Sequence, residues 1–404
     1  MASKKILQLI QVEEKRQEET IDLIASENYV SKAVREALGS VFVNKYAEGY
    51  PNARYYRGNQ FADELENAVK KQALELFEAG PDWQVNVQAY SGTPANLAVY
   101  HALIPIGGTI MGMKLSMGGH LSHGHSVSVS GKLWEQVSYG VDKETQRLDY
   151  KKIHSLAESA SPDIIVAGAS AYSRQIDFSA FREIADKTSS LLLVDMSHIA
   201  GLVAAGLHPS PFPHADIIMT TTHKTLRGPR AALIFSRETF AKKIDKAVFP
   251  GLQGGPHLNQ IAAVGQALEE AKQDDFTEYA EQVLKNADTL ASALAEDDWR
   301  IVSGGTDNHL LLVDTLSKNV SGKRAAQLLE KVGIVTNKNS LPYDKRPPTD
   351  PSGIRLGTPA VTTRGMKEAE MIETAEIITA VLGGSDTNAK EHVEKICEKF
   401  PVYN

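Results

Sequence analysis

Leu191-Leu-Leu-Val-Asp195-Met-Ser-His198 and Ile217-Ile-Met-Thr-Thr-Thr-His-Lys224 decide how this chain is read. Each is a short, unbroken apolar run that ends on charged or polar groups. Similar runs stand at Thr109-Ile-Met, Ile164-Ile-Val-Ala and Ala232-Leu-Ile-Phe, separated by helical stretches such as Phe181 to Thr188. Strands apolar on both faces and alternating with helices predict a mostly parallel sheet covered on both sides, an α/β layer running from about Val85 to Ser236. Ligands of such sheets bind beyond the carboxyl ends of the strands, which directs attention to Asp195 and Lys224.

Outward from that layer, a chain of 404 residues exceeds what one hydrophobic core serves, so two domains of unequal size are expected. After Phe249-Pro-Gly-Leu-Gln-Gly-Gly-Pro256, a helical pattern from about Gln260 to Leu294 is read as a link between them. Beyond it, Arg300-Ile-Val, Leu310-Leu-Leu-Val and Ile354-Arg-Leu read as strands, with helices near Lys323 to Lys331 and Lys367 to Leu382. The second domain is therefore expected to be smaller and α+β. The boundaries drawn are 1–50 for an N-terminal arm and interface segment, 51–278 for the large domain and 279–404 for the small one.

Hydrophobic residues at 42% and charged residues at 23% are ordinary globular values and argue against disorder or a fibrous repeat. A formal charge of −7 without a long basic run gives no grip on nucleic acid phosphates. The single cysteine, Cys397, excludes a disulfide framework and a thiolate metal cluster and fits a reducing compartment. The N-terminus leads into charged sequence, and the longest apolar run, Ile199 to Leu207, is too short to span a bilayer; the expectation is a cytoplasmic protein without a membrane partner. Asn319-Val-Ser321 matches a glycosylation acceptor, but without a secretory signal the match carries nothing.

A lysine held at a strand end in a partly apolar site loses proton affinity, the condition for a Schiff-base amine. A carboxylate facing it across a cofactor-sized gap holds a proton on a pyridine nitrogen and makes that ring an electron sink. Lys224 and Asp195 fit these two roles, although strand-end lysines and aspartates are also common as solvated loop residues. Ser91-Gly92-Thr93-Pro94-Ala95-Asn96 offers hydroxyls and backbone amides at the start of an apolar helix, which is either an anion site or an ordinary N-cap with proline in the first turn. Gly254-Gly255 offers further amides. Gly124 to Lys132 has the wrong spacing for a P-loop, and His120, His123 and His125 raise a metal site as a rival that lacks cysteines or an HExxH pattern.

Taken together the chain resembles serine hydroxymethyltransferase. The matching segments are Ile24-Ala-Ser-Glu-Asn28, Asn44-Lys-Tyr-Ala-Glu-Gly-Tyr-Pro51, Gly118-Gly-His-Leu-Ser-His-Gly124, Val194-Asp-Met-Ser-His198, Thr220-Thr-Thr-His-Lys-Thr-Leu-Arg-Gly-Pro-Arg230, Gln253-Gly-Gly-Pro256, Ser303-Gly-Gly-Thr-Asp-Asn-His309, Asn337-Lys-Asn-Ser340 and Ser352-Gly-Ile-Arg-Leu-Gly-Thr-Pro-Ala360. They run through nearly the whole chain in the family's order.

The resemblance implies the aspartate-aminotransferase-like fold of pyridoxal-phosphate enzymes (fold type I), a homodimer with shared active sites, and serine, glycine and tetrahydrofolate as reactants. It implies pyridoxal 5'-phosphate bound covalently to Lys224, with Asp195 at the pyridine nitrogen, His120 stacked on the ring, His198 near the phenolic oxygen and His223 by the phosphate. Ser91, Gly92, Thr93, Ser170, Gly254 and Gly255 complete the cofactor set. Arg355 is implied as the clamp on the amino-acid carboxylate, Glu48 as proton donor and acceptor contributed with Tyr46 by the neighbouring subunit, and Ser26, Tyr55 and Tyr56 as pocket residues. Leu115, Gly119, His120, Leu121 and Asn339 are implied at the pterin, and Lys338, Lys345 and Arg346 near a glutamate tail; no metal is implied. Departures from the family pattern stand at Ala89-Tyr90, Thr93-Pro94, Arg57, Ala231-Ala232 and Pro347-Pro348-Thr349. A folate-independent aldolase or aminotransferase of the same fold is the enzyme rival.

Overall fold

A computed structural model of the chain describes residues 3–385 and 388–403, leaving residues 1–2 of the N-terminal arm and residues 386–387 and 404 of the C-terminal region outside it. The chain divides into two compact units, one formed by Val30–Ala280 and the other by Met1–Tyr29 together with Glu281–Asn404.

The larger unit is built on a seven-stranded sheet whose strands lie in the order Trp83–Asn86, Ala232–Arg237, Ile217–Thr221, Leu191–Asp195, Ile164–Ala167, Thr109–Met113, Glu135–Tyr139. Only Ala232–Arg237 runs against the rest. The inner strands are continuous in burial because helices cover both faces: Ile164–Ala167 is buried at every position, and so is Ile217–Thr221. Tyr100, Val99 and Ala98 of the helix Gly92–Leu103 join Ile164, Val166, Leu193, Ile217 and Met219 in one core. The two outermost strands, Trp83–Asn86 and Glu135–Tyr139, each include exposed polar positions, which is why they do not stand out as apolar runs. The expected helix from Gln260 to Leu294 is in fact two, Leu258–Glu270 and Asp274–Glu296. The first ends at Ala271, and Asp274 and Asp275 open the second, where carboxylates favour the exposed amides of a helix start.

In the other unit a four-stranded antiparallel sheet has the order Arg300–Ile301, Leu310–Asp314, Gly353–Gly357, Asn337–Asn339. The N-terminal residues belong to it through a short parallel pairing of Ile21–Asp22 with Ile334–Val335. Ile21 and Leu23 are fully buried in its core with Leu311, Leu329, Ile354 and Leu356. No helix among the described residues is long and apolar enough to cross a membrane.

Candidate active site

Asp195 closes its strand and is nine-tenths buried, so its negative charge has to be matched locally. His123 Nε2 meets Asp195 Oδ2 at 2.9 Å, and Asn96 Nδ2 donates to the same oxygen at 3.1 Å. The Ser197 amide donates to Oδ1 at 3.1 Å. Burial pushes the carboxyl up, but the His123 hydrogen bond and charge, helped by His120 and Ser197, outweigh it and hold the group well below the usual carboxylate range. Asp195 is thus a fixed anion. His123 was visible in the sequence only as one of a histidine trio, and Asn96 only as part of a helix start.

Lys224 follows the neighbouring strand, and its Nζ donates to Thr221 Oγ1 at 2.8 Å. The same Thr221 crowds Gly92: a Cβ there would come within 2.8 Å of Thr221 Cγ2. The helix Gly92–Leu103 therefore begins against the end of the strand that leads to Lys224. Ser91 is its N-cap residue and makes no side-chain capping bond, which leaves its hydroxyl and the first amides of the helix available. Beside them His223 has its Nδ1 buried without a hydrogen-bond partner. Burial, followed by the Lys224 and Arg230 charges, lowers His223 to about 3, so it is a neutral ring. The His198 carbonyl accepts from Thr225 Oγ1 at 3.0 Å, fixing the turn that carries it.

His120 sits on the segment Gly118-Gly-His120, which is pressed into place by close backbone approaches. A Cβ at Gly119 would lie 1.9 Å from the Met113 carbonyl oxygen, and Gly118 has φ 113°. The Ser170 amide donates to the Gly118 carbonyl at 2.8 Å, which brings Ser170 to the same segment. Burial and the His123 charge lower His120 to about 4, with Asp195 opposing them. Leu115 and Leu121 flank this segment, Leu115 half-buried and Leu121 exposed.

A second cluster in this unit joins Tyr46, Glu48, Tyr56, Gly254 and Gly255. The Tyr46 hydroxyl donates to Glu48 Oε1 at 3.3 Å, and the Tyr46 and Tyr56 rings meet edge to face at 5.4 Å. A Cβ on Gly255 would touch the Tyr46 ring at 3.3 Å, and one on Gly254 would lie 3.5 Å from Glu48 Oε1. Behind it lies a network that no local pattern announces. Arg54 donates to the carbonyls of Ala47 and Gly49, on either side of Glu48, at 2.9 and 2.7 Å. Its other nitrogens reach Glu66 at 2.7 Å and Asp63 at 2.8 Å, and Gln88 Nε2 donates to both Gly49 and Glu66.

In the other unit Arg355 lies on the strand Gly353–Gly357, its Nε donating to Asn337 Oδ1 at 3.2 Å and its Nη2 to Ser26 Oγ at 3.4 Å. Burial alone pulls the guanidinium down to about 10. Ser26 is set by the turn after Leu23, which lies flush on this strand: a Cβ at Gly357 would meet Ala25 Cα at 2.4 Å. Asn339 is on the next strand, its amide donating to the Ser340 carbonyl. Lys338 donates to the Thr349 carbonyl and Arg346 pairs with Asp350, so both are engaged within their own loop. Among the described residues no group of three or more His, Cys, Asp or Glu side chains is arranged to hold a metal ion.

These residues fit a phosphorylated pyridine aldehyde. The donor set supplies amides and hydroxyls for a phosphate at a helix start, a fixed carboxylate for a ring nitrogen, an amine for the aldehyde and an unpartnered buried imidazole nitrogen beside it. Comparison with known proteins agrees. The family model described as serine hydroxymethyltransferase matches residues 1–378. A serine hydroxymethyltransferase from Desulfotalea psychrophila (strain LSv54 / DSM 12343) is 52% identical over 402 residues, covering 98% of this chain and 94% of the relative. With both unit architectures and the order of motifs in agreement, the chain belongs to the serine hydroxymethyltransferase family.

Proposed function

We propose that Lys224, Asp195, His120, His198, His223, Ser91, Gly92, Thr93, Ser170, Gly254 and Gly255 hold the cofactor in this chain, and that Arg355 and Glu48 work on the substrate. The reaction itself is the family's: serine and glycine are interconverted, with the hydroxymethyl carbon passing to tetrahydrofolate to give 5,10-methylenetetrahydrofolate. When bound, pyridoxal phosphate supplies the electron sink that makes bonds at the amino acid's Cα and Cβ breakable.

The chain's own groups supply position and charge. Lys224 holds the cofactor aldehyde and yields it to the substrate amine. Asp195, already an anion, keeps a proton on the ring nitrogen. His120, neutral, covers the ring face without adding a positive charge, and His223 gives its free nitrogen to the phosphate side. Arg355 grips the substrate carboxylate with two parallel donors, a geometry lysine lacks, and Ser26 shares that grip. Glu48 moves a proton at the serine hydroxyl, with Tyr46 and Tyr56 beside it. Leu115, Gly119, Leu121 and Asn339 receive the pterin.

The observation that carries this reading is the hydrogen-bonded anion Asp195 paired with an amine, Lys224, at adjacent strand ends. The test is the visible spectrum of the purified protein. Pyridoxal phosphate should give a lysine-dependent band that Lys224→Ala lacks, and glycine with tetrahydrofolate should give a new red-shifted band that neither gives alone. A spectrum that ignores tetrahydrofolate would move the assignment to an aldolase or aminotransferase.

The enzyme works as a homodimer in the cytoplasm. Support for the dimer comes from exposed apolar side chains crowded between residues 41 and 61: Val41, Val43, Tyr46, Tyr55 and Phe61 are each more than half exposed. Glu48 lies among them, in keeping with a site shared between protomers. Support for the compartment is the lone cysteine, Cys397, which is buried and reduced.

A further inference from the structure

Tyr90 stands where the family pattern usually has histidine, and it makes more contacts with the glycine loop than its neighbours in sequence do. Its backbone N–H donates to Gln253 Oε1 at 3.1 Å, and Gln253 Nε2 donates back to the Gln88 carbonyl at 2.7 Å. Its hydroxyl donates to the Gly255 carbonyl at 2.7 Å. Its ring lies flat on the His257 imidazole, 4.2 Å between centroids and 4° between planes. Residues 253, 255 and 257 are therefore each held from residues 88–90. Between these anchors, the Gly254 and Gly255 amides have no acceptor among the described residues.

Gly255 packs tightly against the Tyr46 ring, where a Cβ would come within 3.3 Å, and Gly254 lies at van der Waals distance from the Glu48 carboxylate. These four residues pack together as one body. On the other side of Tyr90 the chain runs directly into Ser91 and Gly92, which is wedged against Thr221, the partner of Lys224. Tyr90 lies on the seam between the two bodies. If Glu48 serves the neighbouring protomer, Gly254 and Gly255, packed beside Glu48 and Tyr46, face that protomer too.

We infer that Tyr90 is a positioning residue that sets the reach of the Gly254-Gly255 amides toward the cofactor phosphate held by the partner protomer. The inference rests on the shared-site reading above and adds the device that aims the loop. Loss of the hydroxyl leaves the ring stacked but unties Gly255; loss of the ring unties the whole loop. The cofactor's phosphate then loses donors, whereas the pyridine and aldehyde contacts at Asp195 and Lys224 are untouched.

The test titrates the apo-protein with pyridoxal phosphate and, separately, with pyridoxal, following the lysine-dependent visible band. Tyr90→Phe should weaken pyridoxal phosphate about five-fold, the effect of one ordinary hydrogen bond, and leave pyridoxal unchanged. Tyr90→Ala should weaken it further with the same selectivity. Equal loss for both compounds, or no loss for either, overturns the inference, because a merely structural residue cannot tell them apart. Mixed dimers then locate the effect. In a dimer of one Lys224→Ala chain and one Tyr90→Ala chain, only one site forms the band, and its glycine loop comes from the chain with Tyr90 intact. Parental phosphate affinity there supports action across the interface, and weakened affinity overturns it. A Glu48→Gln and Lys224→Ala mixed dimer tests the shared-site reading separately: regained serine turnover supports that reading, and no regain removes it and this inference together.

Discussion

Replacing Arg54 by methionine should destabilise the larger unit and slow catalysis for separable reasons. The Arg54 side chain is 4% exposed and Glu66 is fully buried, so the mutation strands a carboxylate that has no route to water. Breaking a buried pair by removing one partner costs about 3–5 kcal/mol. Lys70 Nζ, 3.3 Å from Glu66 Oε1, and Gln88 Nε2 both remain, which argues for the lower end. At about 3 kcal/mol the melting transition of the larger unit should fall by roughly 6–12 °C, given some 2–4 °C per kcal/mol for a unit of this size. Thermal unfolding of the apo-protein followed by circular dichroism reads this directly. Arg54→Met combined with Glu66→Leu removes the stranded charge, and exchange of a buried pair for apolar groups is often neutral, so most of the stability should return. Turnover should not return. The Ala47 and Gly49 carbonyls that fix Glu48 lose the Arg54 donor in both variants, leaving only Gln88 on Gly49. A loss below about 1 kcal/mol for Arg54→Met, or turnover restored by the double variant, would refute the reasoning.

Asp22 gives a pH prediction with a definite sign. Burial, then the neighbouring Glu27 carboxylate, raise it from 3.8 to about 8, so the native state keeps a proton that the unfolded chain releases; this stability is full below 3.8 and is lost as pH rises toward 8. Asp22→Asn should remove that slope, leaving the urea midpoint above the parent's at pH 8 and equal to it near pH 4. Arg355→Ala should weaken glycine binding by about 2–5 kcal/mol, read as the dissociation constant, with cofactor affinity unchanged; an unchanged glycine constant would remove Arg355 from the clamp. Lys224→Ala should retain the parental melting curve without cofactor and show no visible band at any pyridoxal phosphate concentration.

The inner strands were legible because helices bury both their faces, and the physical requirement leaves unbroken runs such as Leu191 to Val194. The outermost strands were not, because an edge position keeps one side wet: Glu135–Tyr139 reads exposed at its start and buried only at Tyr139. The break between the helices Leu258–Glu270 and Asp274–Glu296 was hidden because the apolar spacing continues across it; only the acidic pair Asp274-Asp275 marks a new start. In the site, Lys224 and Asp195 stood out as charges ending apolar strands. What surrounds them did not. His123 reaches Asp195 across 72 residues, and Tyr90 reaches Gly255 across 165. Pairings at that separation leave no mark on spacing or periodicity.

Charge placement orders these groups more strictly than their identities do. Two histidines of the candidate site, His120 and His223, are both lowered mainly by burial, to about 4 and about 3, and so are neutral at physiological pH. A neutral His120 can cover a ring that accumulates electrons without competing for them, and a neutral His223 beside Lys224 does not repel a protonated amine. Asp195 is the opposite case, an anion kept so by His123, Asn96 and Ser197 although it is buried. With these two histidines neutral in the working range, proton movement under the proposed reading falls to Glu48. That division explains the different support each receives. Asp195 is fixed by bonds from the His123 and Asn96 side chains and the Ser197 backbone amide, which hold its charge in place. Glu48 is fixed through the carbonyls on either side of it by Arg54 and Gln88, while its carboxylate accepts from the Tyr46 hydroxyl.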